Sequence, residues 1–281
     1  MSNRDTRYKI TMWLTEAQRM AMWHTLSDIM PLYLIPEYPK CGGSWFGQML
    51  SDYLNVPFPR NEAPPLKSCV MHGHHLYSPH YHNVFCVIRD GRDVMVSAYY
   101  HLLFHHDINP PRSVVYHRDR VPFDDYENVQ VNLPAWIDYM FNVEGQRWNR
   151  FTWDEFIESY WEREDVAIVR YEDMLDDAAR EVGRAIQAVL DEEPDMDRLK
   201  MIEEKYSFEN QTGRKRGEQS KSFLRKGIAG DWKNHFTREA CELFDGLAGD
   251  WLIRLDYEDD RSWIDEQAGR ISEKNREHAI N

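Results

Sequence analysis

Residues 32–54, LYLIPEYPKCGGSWFGQMLSDYL, decide the expected fold. The apolar run from Leu32 to Tyr38 predicts a short buried strand. A glycine-rich turn, Pro39 to Ser44, follows it, and apolar residues then recur at helical spacing from Trp45 to Leu54. A strand, a glycine loop and a helix in this order direct backbone N–H groups at an anion. On this segment alone, a tight strand–helix turn without a ligand is an equally good interpretation.

The rest of the chain alternates between strand-like and helix-like patterns, which predicts an α/β fold. We expect a single domain over residues 1–281, with a central parallel sheet flanked by helices and a core at about 32–255. Further strands are expected at 69–71, 83–88 and 166–169, and helices near 15–30, 94–106, 153–163, 176–190, 195–205 and 238–254. Residues 107–134 lack periodicity, which predicts a lid or substrate-facing loop.

The composition and net charge of the 281-residue chain argue against several classes of function. The 34 Lys and Arg residues against 48 Asp and Glu residues give a formal charge of −14, which argues against nucleic acid and anionic membrane surfaces as partners. The four cysteines form no CxxC pair, so neither a zinc ribbon nor a redox pair is indicated. The first residues show no long apolar run and no small-residue cleavage site, and no stretch approaches 18 apolar residues. We therefore expect no secretory signal, no membrane span and a cytoplasmic protein.

Two further segments have the charged and polar residues expected of an anion-binding site. Residues 212–226, TGRKRGEQSKSFLRK, hold six Lys or Arg residues against one Glu, which favours an anion-binding loop. Arg89 ends a predicted strand, and Ser97 lies in the following helix, so both can face the carboxyl edge of the sheet. A salt-bridged strand exit is the alternative interpretation of Arg89.

Three segments in this order resemble the cytosolic-type sulfotransferase family, whose donor is 3′-phosphoadenosine 5′-phosphosulfate (PAPS). Lys40 to Trp45 (KCGGSW) is similar to the family's 5′-phosphosulfate loop, usually PKSGTTW. Arg89 to Ser97 resembles its 3′-phosphate motif, and Arg225 to Trp232 (RKGIAGDW) its RKGxxGDW loop. Tyr171 to Asp173 matches a YED that ends a later strand. The resemblance covers about residues 32–255 and implies a P-loop-like nucleotide-binding core.

The resemblance also implies roles for individual residues. His72, Lys40 and Ser97 are the predicted catalytic residues: His72 is the general base, Lys40 contacts the leaving phosphate oxygen, and Ser97 also binds the 3′-phosphate. The predicted PAPS-binding residues are Lys40, Cys41, Gly42, Gly43, Ser44, Trp45, Arg89, Ser97, Tyr171, Ser207, Phe208, Leu224, Arg225, Lys226 and Gly227. His74 and His75 are the alternatives for the base.

The chain departs from the family pattern at several positions. Val70 stands where the family has a lysine, two residues before the base, and Cys41 and Gly43 replace the usual serine and threonine. Arg238 stands where a valine of the family's dimer motif would pack, so a homodimer remains open. The histidine cluster at 72–82 contains no Cys or carboxylate at ligand spacing, so we expect no metal.

The leading hypothesis is therefore a PAPS-dependent sulfotransferase acting on a hydroxyl or amine of a small, largely apolar acceptor. An ATP-dependent P-loop phosphotransferase is the nearest enzyme alternative, although the loop lysine precedes the glycines instead of following them. A non-catalytic protein that binds PAPS or its product, 3′,5′-ADP, is the alternative from another class.

Overall fold

The computed structural model describes residues 3–60, 62–105, 111–149, 151–220 and 224–280. The chain forms two compact units. The first consists of Met1–Ile88 and Ser159–Gln211, and the second of Arg89–Glu158 and Thr212–Asn281. Each unit has its own buried core.

The first unit is built on a four-stranded parallel sheet. Its strands are β1 (Leu32–Pro36), β2 (Cys69–Gly73), β3 (Val84–Ile88) and β4 (Val166–Arg170). They lie in the order β2-β1-β3-β4, and the neighbouring strands are parallel. β2 and β3 are buried along their whole length, as is usual where helices cover both faces of a parallel sheet.

The helices of both units follow in chain order. They are α1 (Asn3–Leu26), α2 (Gly43–Leu54), α3 (Gly91–Leu103), α4 (Pro111–Arg118), α5 (Val129–Tyr139), α6 (Trp153–Tyr160), α7 (Tyr171–Leu190), α8 (Met196–Lys205), α9 (Phe208–Thr212), α10 (Arg238–Arg254) and α11 (Trp263–Ile280). A π-helical segment, Met140–Asn149, follows α5, and a 3₁₀ turn, Asp231–Asn234, precedes α10.

Helices α2 and α7 pack on the sheet of the first unit. Helix α7 is kinked at Asp177. Beyond the kink, Ala178, Val182 and Ile186 recur every four residues and are fully buried, so they form the apolar stripe that faces the strands. The predicted α/β fold, with a central parallel sheet flanked by helices, is therefore confirmed. Within the described ranges, no helix combines the length and apolar character needed to cross a membrane.

The second unit is helical, and a buried arginine lies in its core. The Arg92 guanidinium stacks 3.7 Å from the Trp232 ring centroid and 4.8 Å from that of Trp263. It also pairs with Asp90 at 2.8 Å and with Glu258. A buried charge is tolerated when it is paired and hydrogen-bonded, so Arg92 here joins α3 to the C-terminal part of its unit.

Several predicted element boundaries were wrong. The N-terminal helix runs from Asn3 to Leu26, not over 15–30, and residues 27–30 form a bend ahead of Pro31. Helix α3 begins at Gly91, three residues early, because the Asp90 carboxylate caps it by accepting the Arg92 N–H. Helix α7 begins at Tyr171, so the YED begins a helix rather than ending a strand.

The segment 107–134 was predicted to lack regular structure, and this is wrong for the part that the structure describes. Its role as a lid or substrate-facing segment stays a prediction. Residues 107–110 lie outside the described residues. The remainder holds α4 and the first half of α5. Pro111, which suggested a loop, is the first residue of α4, where a missing N–H costs no hydrogen bond.

Candidate active site

The loop between β1 and α2 has the backbone of an anion-binding turn. Lys40 and Gly42 both have positive φ angles, 81° and 101°. A Cβ atom at Gly42 would lie 2.6 Å from the Tyr171 ring, so glycine is needed there for conformation and for space. Helix α2 begins at Gly43 and turns its positive N-terminal end toward the loop.

His72 lies beside this loop because of the strand register. β1 and β2 are adjacent and parallel, with His72 opposite Ile35. Glu37 directly follows β1, and its Oε1 lies 2.6 Å from Nε2 of His72. The other carboxylate oxygen accepts the Gly43 N–H at 2.6 Å. Glu37 and His72 are 5 % and 7 % exposed, so the pair is shielded from water.

The environment of Glu37 keeps its carboxylate ionised. Burial raises the pKa of Glu37, but the neighbouring imidazole of His72 and the Gly43 N–H outweigh burial and hold that pKa at about 2. An ionised carboxylate only accepts hydrogen bonds. His72 therefore donates through Nε2, which leaves Nδ1 as the acceptor of the neutral ring.

His74, an alternative base, is held in the opposite tautomer. Its Nδ1 lies 2.8 Å from the carbonyl oxygen of Glu37 and must donate, so Nε2 is the ring's acceptor. Burial and the nearby His72 lower the pKa of His74 to about 4, so its ring is neutral at pH 7. The other alternative, His75, is partly exposed, and its Nε2 lies 3.5 Å from Oε1 of Glu16.

One group of side chains in the described part of the chain has the chemistry of metal ligands. Glu37, His72 and His74 each place one ligand atom within 4.8 Å of the other two. Two ligands of a tetrahedral zinc ion lie roughly 3.3 Å apart, given bonds of about 2.0–2.1 Å. The 2.6 Å between Oε1 of Glu37 and Nε2 of His72 is too short for that and fits a hydrogen bond.

The residues predicted for the adenine side converge within the first unit. The Trp45 ring meets the Tyr171 ring edge-on, with centroids 6.1 Å apart. The Trp45 indole N–H donates to the Tyr206 carbonyl at 2.9 Å. Ser207 and Phe208 follow directly, and the Ser207 hydroxyl accepts the Asn210 N–H at the start of α9. These contacts bring three separate sequence segments together.

The residues predicted for the 3′-phosphate converge within the second unit. Arg225 and Lys226 both bind the buried carboxylate of Asp231, at 2.6 and 2.7 Å. Burial raises the pKa of Asp231, but neighbouring His235 and the two cations hold it far below its ordinary value. Leu224 and Gly227 flank the pair, and Gly227 has a φ of 63°.

Arg89 and the face of α3 meet the same loop. Nη2 of Arg89 donates to the Ile228 carbonyl at 3.0 Å and lies 3.4 Å from Asp93. The Arg225 guanidinium lies 4.5 Å from the centroid of the Tyr100 ring on α3. Ser97 precedes Tyr100 by three residues and so shares that helix face.

Arg225 carries the clearest sign of an anionic ligand. Its Nη1 is buried and has no hydrogen-bond partner among the described residues. A buried donor left unpaired costs about 1–3 kcal/mol, which a ligand oxygen would recover. The donor set of this loop, a guanidinium and an ammonium fixed by one carboxylate, fits a phosphate.

Comparison with known proteins agrees with this geometry. Residues 80–256, more than half of the chain, match the family model described as the sulfotransferase domain. The chain belongs to the sulfotransferase family. The matched stretch includes the Arg89–Ser97 motif and the RKGIAGDW loop, so the predicted family resemblance is confirmed.

Relatives of this sulfotransferase-family chain support the same assignment. It is 27 % identical to sulfotransferase 1E1 of Cavia porcellus over 58 % of this chain and 52 % of that one. It is 23 % identical to sulfotransferase 6B1 of Danio rerio over 76 % of both. The chain spans about half the length of the first curated relatives that it matches.

Solved structures show the fold. A mouse sulfotransferase complexed with PAP superposes with a TM-score of 0.56 at 16 % identity, over 88 % of this chain and 93 % of that one. A retinol dehydratase in complex with androsterone and inactive cofactor PAP superposes with a TM-score of 0.53 at 15 % identity, over 80 % and 81 %.

Sequence reasoning missed two carboxylates of this sulfotransferase-family site. Glu37 and Asp231 hold the predicted base and the predicted phosphate-binding cations. Asp231 lies inside the quoted RKGIAGDW segment but was not singled out. Glu37 is an acidic residue at the end of an apolar strand, and that unusual placement was the available signal.

Proposed function

We propose that this chain transfers the sulfuryl group of PAPS to a hydroxyl or amine of a small, largely apolar acceptor. The observation that supports this most directly is the adjacency, in the first unit, of His72 and the Lys40 loop. An imidazole with a defined acceptor nitrogen beside a positively charged anion-binding turn is what a transfer reaction at a bound anion needs.

The donor-binding roles follow from the contacts. The Lys40 side chain and the N–H groups of Gly42 and Ser44 hold the 5′-phosphosulfate end, with Trp45 and Tyr171 against the adenine. Since the Gly43 N–H already donates to Glu37, it contributes less than the sequence suggested. Arg89, Ser97, Arg225 and Lys226, with the backbone of Leu224 and Gly227, hold the 3′-phosphate.

The reaction is a displacement at sulfur. PAPS, when bound, supplies the sulfuryl group and leaves as 3′,5′-ADP. His72 accepts the acceptor's proton at Nδ1 while the acceptor oxygen or nitrogen bonds to sulfur and the bond from sulfur to the phosphate oxygen breaks. Lys40 stabilises the negative charge left on that oxygen. A positioned base contributes about 10²- to 10⁴-fold to such a rate. No step requires a metal, and the absence of one remains our prediction.

Radiolabelled PAPS tests the proposal. The full chain is incubated with it, in EDTA, and with a panel of phenols, aliphatic alcohols and amines, and labelled products are separated and counted. We expect transfer to at least one apolar acceptor. Transfer of phosphate from ATP with Mg²⁺, and none from PAPS, would contradict the proposal in favour of a phosphotransferase. Binding of 3′,5′-ADP without transfer to any acceptor would identify a binding protein.

A further inference from the structure

Glu37 links the predicted base to the anion-binding loop. Its Oε1 accepts from His72, its Oε2 accepts from the Gly43 N–H, and its backbone carbonyl accepts from His74. Burial of an unpaired carboxylate would be costly, so these partners explain how the charge is kept in an apolar strand end. Neither the family resemblance nor the comparisons assign Glu37 a role.

Gly43 and Glu37 form a matched pair. A Cβ at Gly43 would lie 2.9 Å from the carboxyl carbon of Glu37, a distance that side chains do not tolerate. The family loop that this segment resembles usually has a threonine at this position. The glycine therefore gives the Glu37 carboxylate the space in which it reaches both His72 and the start of α2.

We propose that Glu37 is the positioning residue for His72, holding the imidazole with Nε2–H on the carboxylate and Nδ1 toward the acceptor. The effect of Glu37 on the reaction rests on the proposed function, whereas the hydrogen bonds of Glu37 are observed whatever the reaction is. A carboxylate in this place fixes the tautomer and orientation of the ring and stabilises the imidazolium that forms as the proton is taken. The bond to Gly43 ties the ring's orientation to the loop that holds the donor.

Glu37→Gln gives the sharpest test, because an amide has only one acceptor oxygen. With that oxygen on the Gly43 N–H, the amide NH₂ faces Nε2 of His72, which must then accept. We expect the neutral His72 ring to switch from the Nε2–H to the Nδ1–H tautomer. Nitrogen-15 NMR of histidine-labelled full-length protein, in EDTA at pH 7.5, reports this directly, with His72→Ala and His74→Ala assigning the resonances.

Activity supplies the second readout. In Glu37→Gln, we expect kcat for sulfuryl transfer to fall about 10²- to 10⁴-fold, while the Kd for 3′,5′-ADP changes less than about threefold. Glu181→Gln is the matched control, since Glu181 is a buried glutamate of the same unit paired with Arg184 on α7. It should change neither quantity. Gly43→Ala, which displaces the carboxylate without altering it, should also disturb the His72 tautomer.

The outcomes separate the two proposals. If His72 keeps the Nε2–H tautomer in Glu37→Gln, or if that variant retains wild-type kcat, the positioning role is wrong. If the tautomers are as expected but no acceptor is sulfated, the hydrogen-bonded pair stands and the proposed function fails. Stoichiometric zinc binding that His74→Ala abolishes, together with zinc-dependent transfer, would instead make the cluster a metal site and overturn the positioning role.

Discussion

Glu37 in the first unit and Asp231 in the second are both buried carboxylates beside groups predicted to act on PAPS, but their partners differ. Asp231 holds two cations, Arg225 and Lys226, at 2.6 and 2.7 Å. Glu37 holds an imidazole and a backbone N–H, both at 2.6 Å. One carboxylate therefore fixes cations that we predict to bind a phosphate, and the other fixes a ring that we predict to take a proton.

Because the partners differ, substitutions in the two units should change different quantities: turnover in the first unit, and nucleotide affinity and stability in the second. Changes around Glu37 should alter turnover and spare nucleotide affinity, because the ring that Glu37 holds is the proposed base for the acceptor. Changes around Asp231 should alter nucleotide affinity and the stability of the loop at 224–231.

His72→Ala has the largest expected effect. Removal of the base should lower kcat about 10²- to 10⁴-fold, equivalent to roughly 3–5 kcal/mol, with little change in the Kd for 3′,5′-ADP. Initial rates with labelled PAPS and calorimetric titration with 3′,5′-ADP measure the two quantities. Full activity in this variant would reassign the base, first to His74 and then to His75.

Asp231→Asn should destabilise the second unit by about 1.5–3 kcal/mol at pH 7, because it removes the charged acceptor of the partly buried Arg225 and Lys226. The pKa of Asp231 is lowered in the folded state. Its stabilising contribution is therefore complete above the unfolded-state value of about 3.9 and is lost on acidification below it. Urea unfolding at pH 7 and pH 3 should show a smaller pH dependence in the variant. An equal dependence in both proteins would contradict this.

Arg225→Ala should weaken 3′,5′-ADP binding by about 1.5–3 kcal/mol, or about 10- to 150-fold in Kd. It removes a charged donor whose Nη1 has no hydrogen-bond partner in the described part of the chain. At saturating PAPS, kcat should stay close to that of the wild type. Calorimetry and initial rates give the two numbers. A loss of kcat with unchanged affinity would reverse the division between the units.

Arg238→Ala is the variant with the smallest expected effect on stability. Arg238 is exposed and pairs with Asp265 at 2.7 Å and with Glu242 at 3.4 Å. Exposed ion pairs contribute little because water and salt screen them, so the change in unfolding free energy should be small and well below that of Asp231→Asn. A loss comparable to that of Asp231→Asn would show that burial is not what distinguishes the two ion-pair clusters.

Local patterns made much of this molecule predictable. The strand, loop and helix between Leu32 and Leu54 occur in the predicted order, because an apolar run and a glycine turn act through neighbouring residues. The strand ends at Pro36 and the helix begins at Gly43, each two residues before the predicted position. Helix α10 has the predicted bounds, with Thr237 as its N-cap. The RKGIAGDW segment was predicted to bind phosphate, and its cations do lie together on one carboxylate.

The contact between Glu37 and His72 and the position of α4 could not be predicted, because they depend on strand register and long-range packing. Glu37 and His72 are 35 residues apart and meet only because β1 and β2 are adjacent and parallel with a particular offset. Helix α4 was missed because its one deeply buried apolar residue, Val114, gives no periodic pattern.

The central claim is that this chain binds an adenosine carrying phosphates at both the 3′ and the 5′ positions. Calorimetric titration of the full chain in EDTA with 3′,5′-ADP, and separately with 5′-ADP, tests it most directly. The loss of the 3′-phosphate removes the ligand of Arg225 and Lys226, so we expect 3′,5′-ADP to bind at least about tenfold more tightly. Equal affinity for the two nucleotides, or binding of neither, would contradict the account.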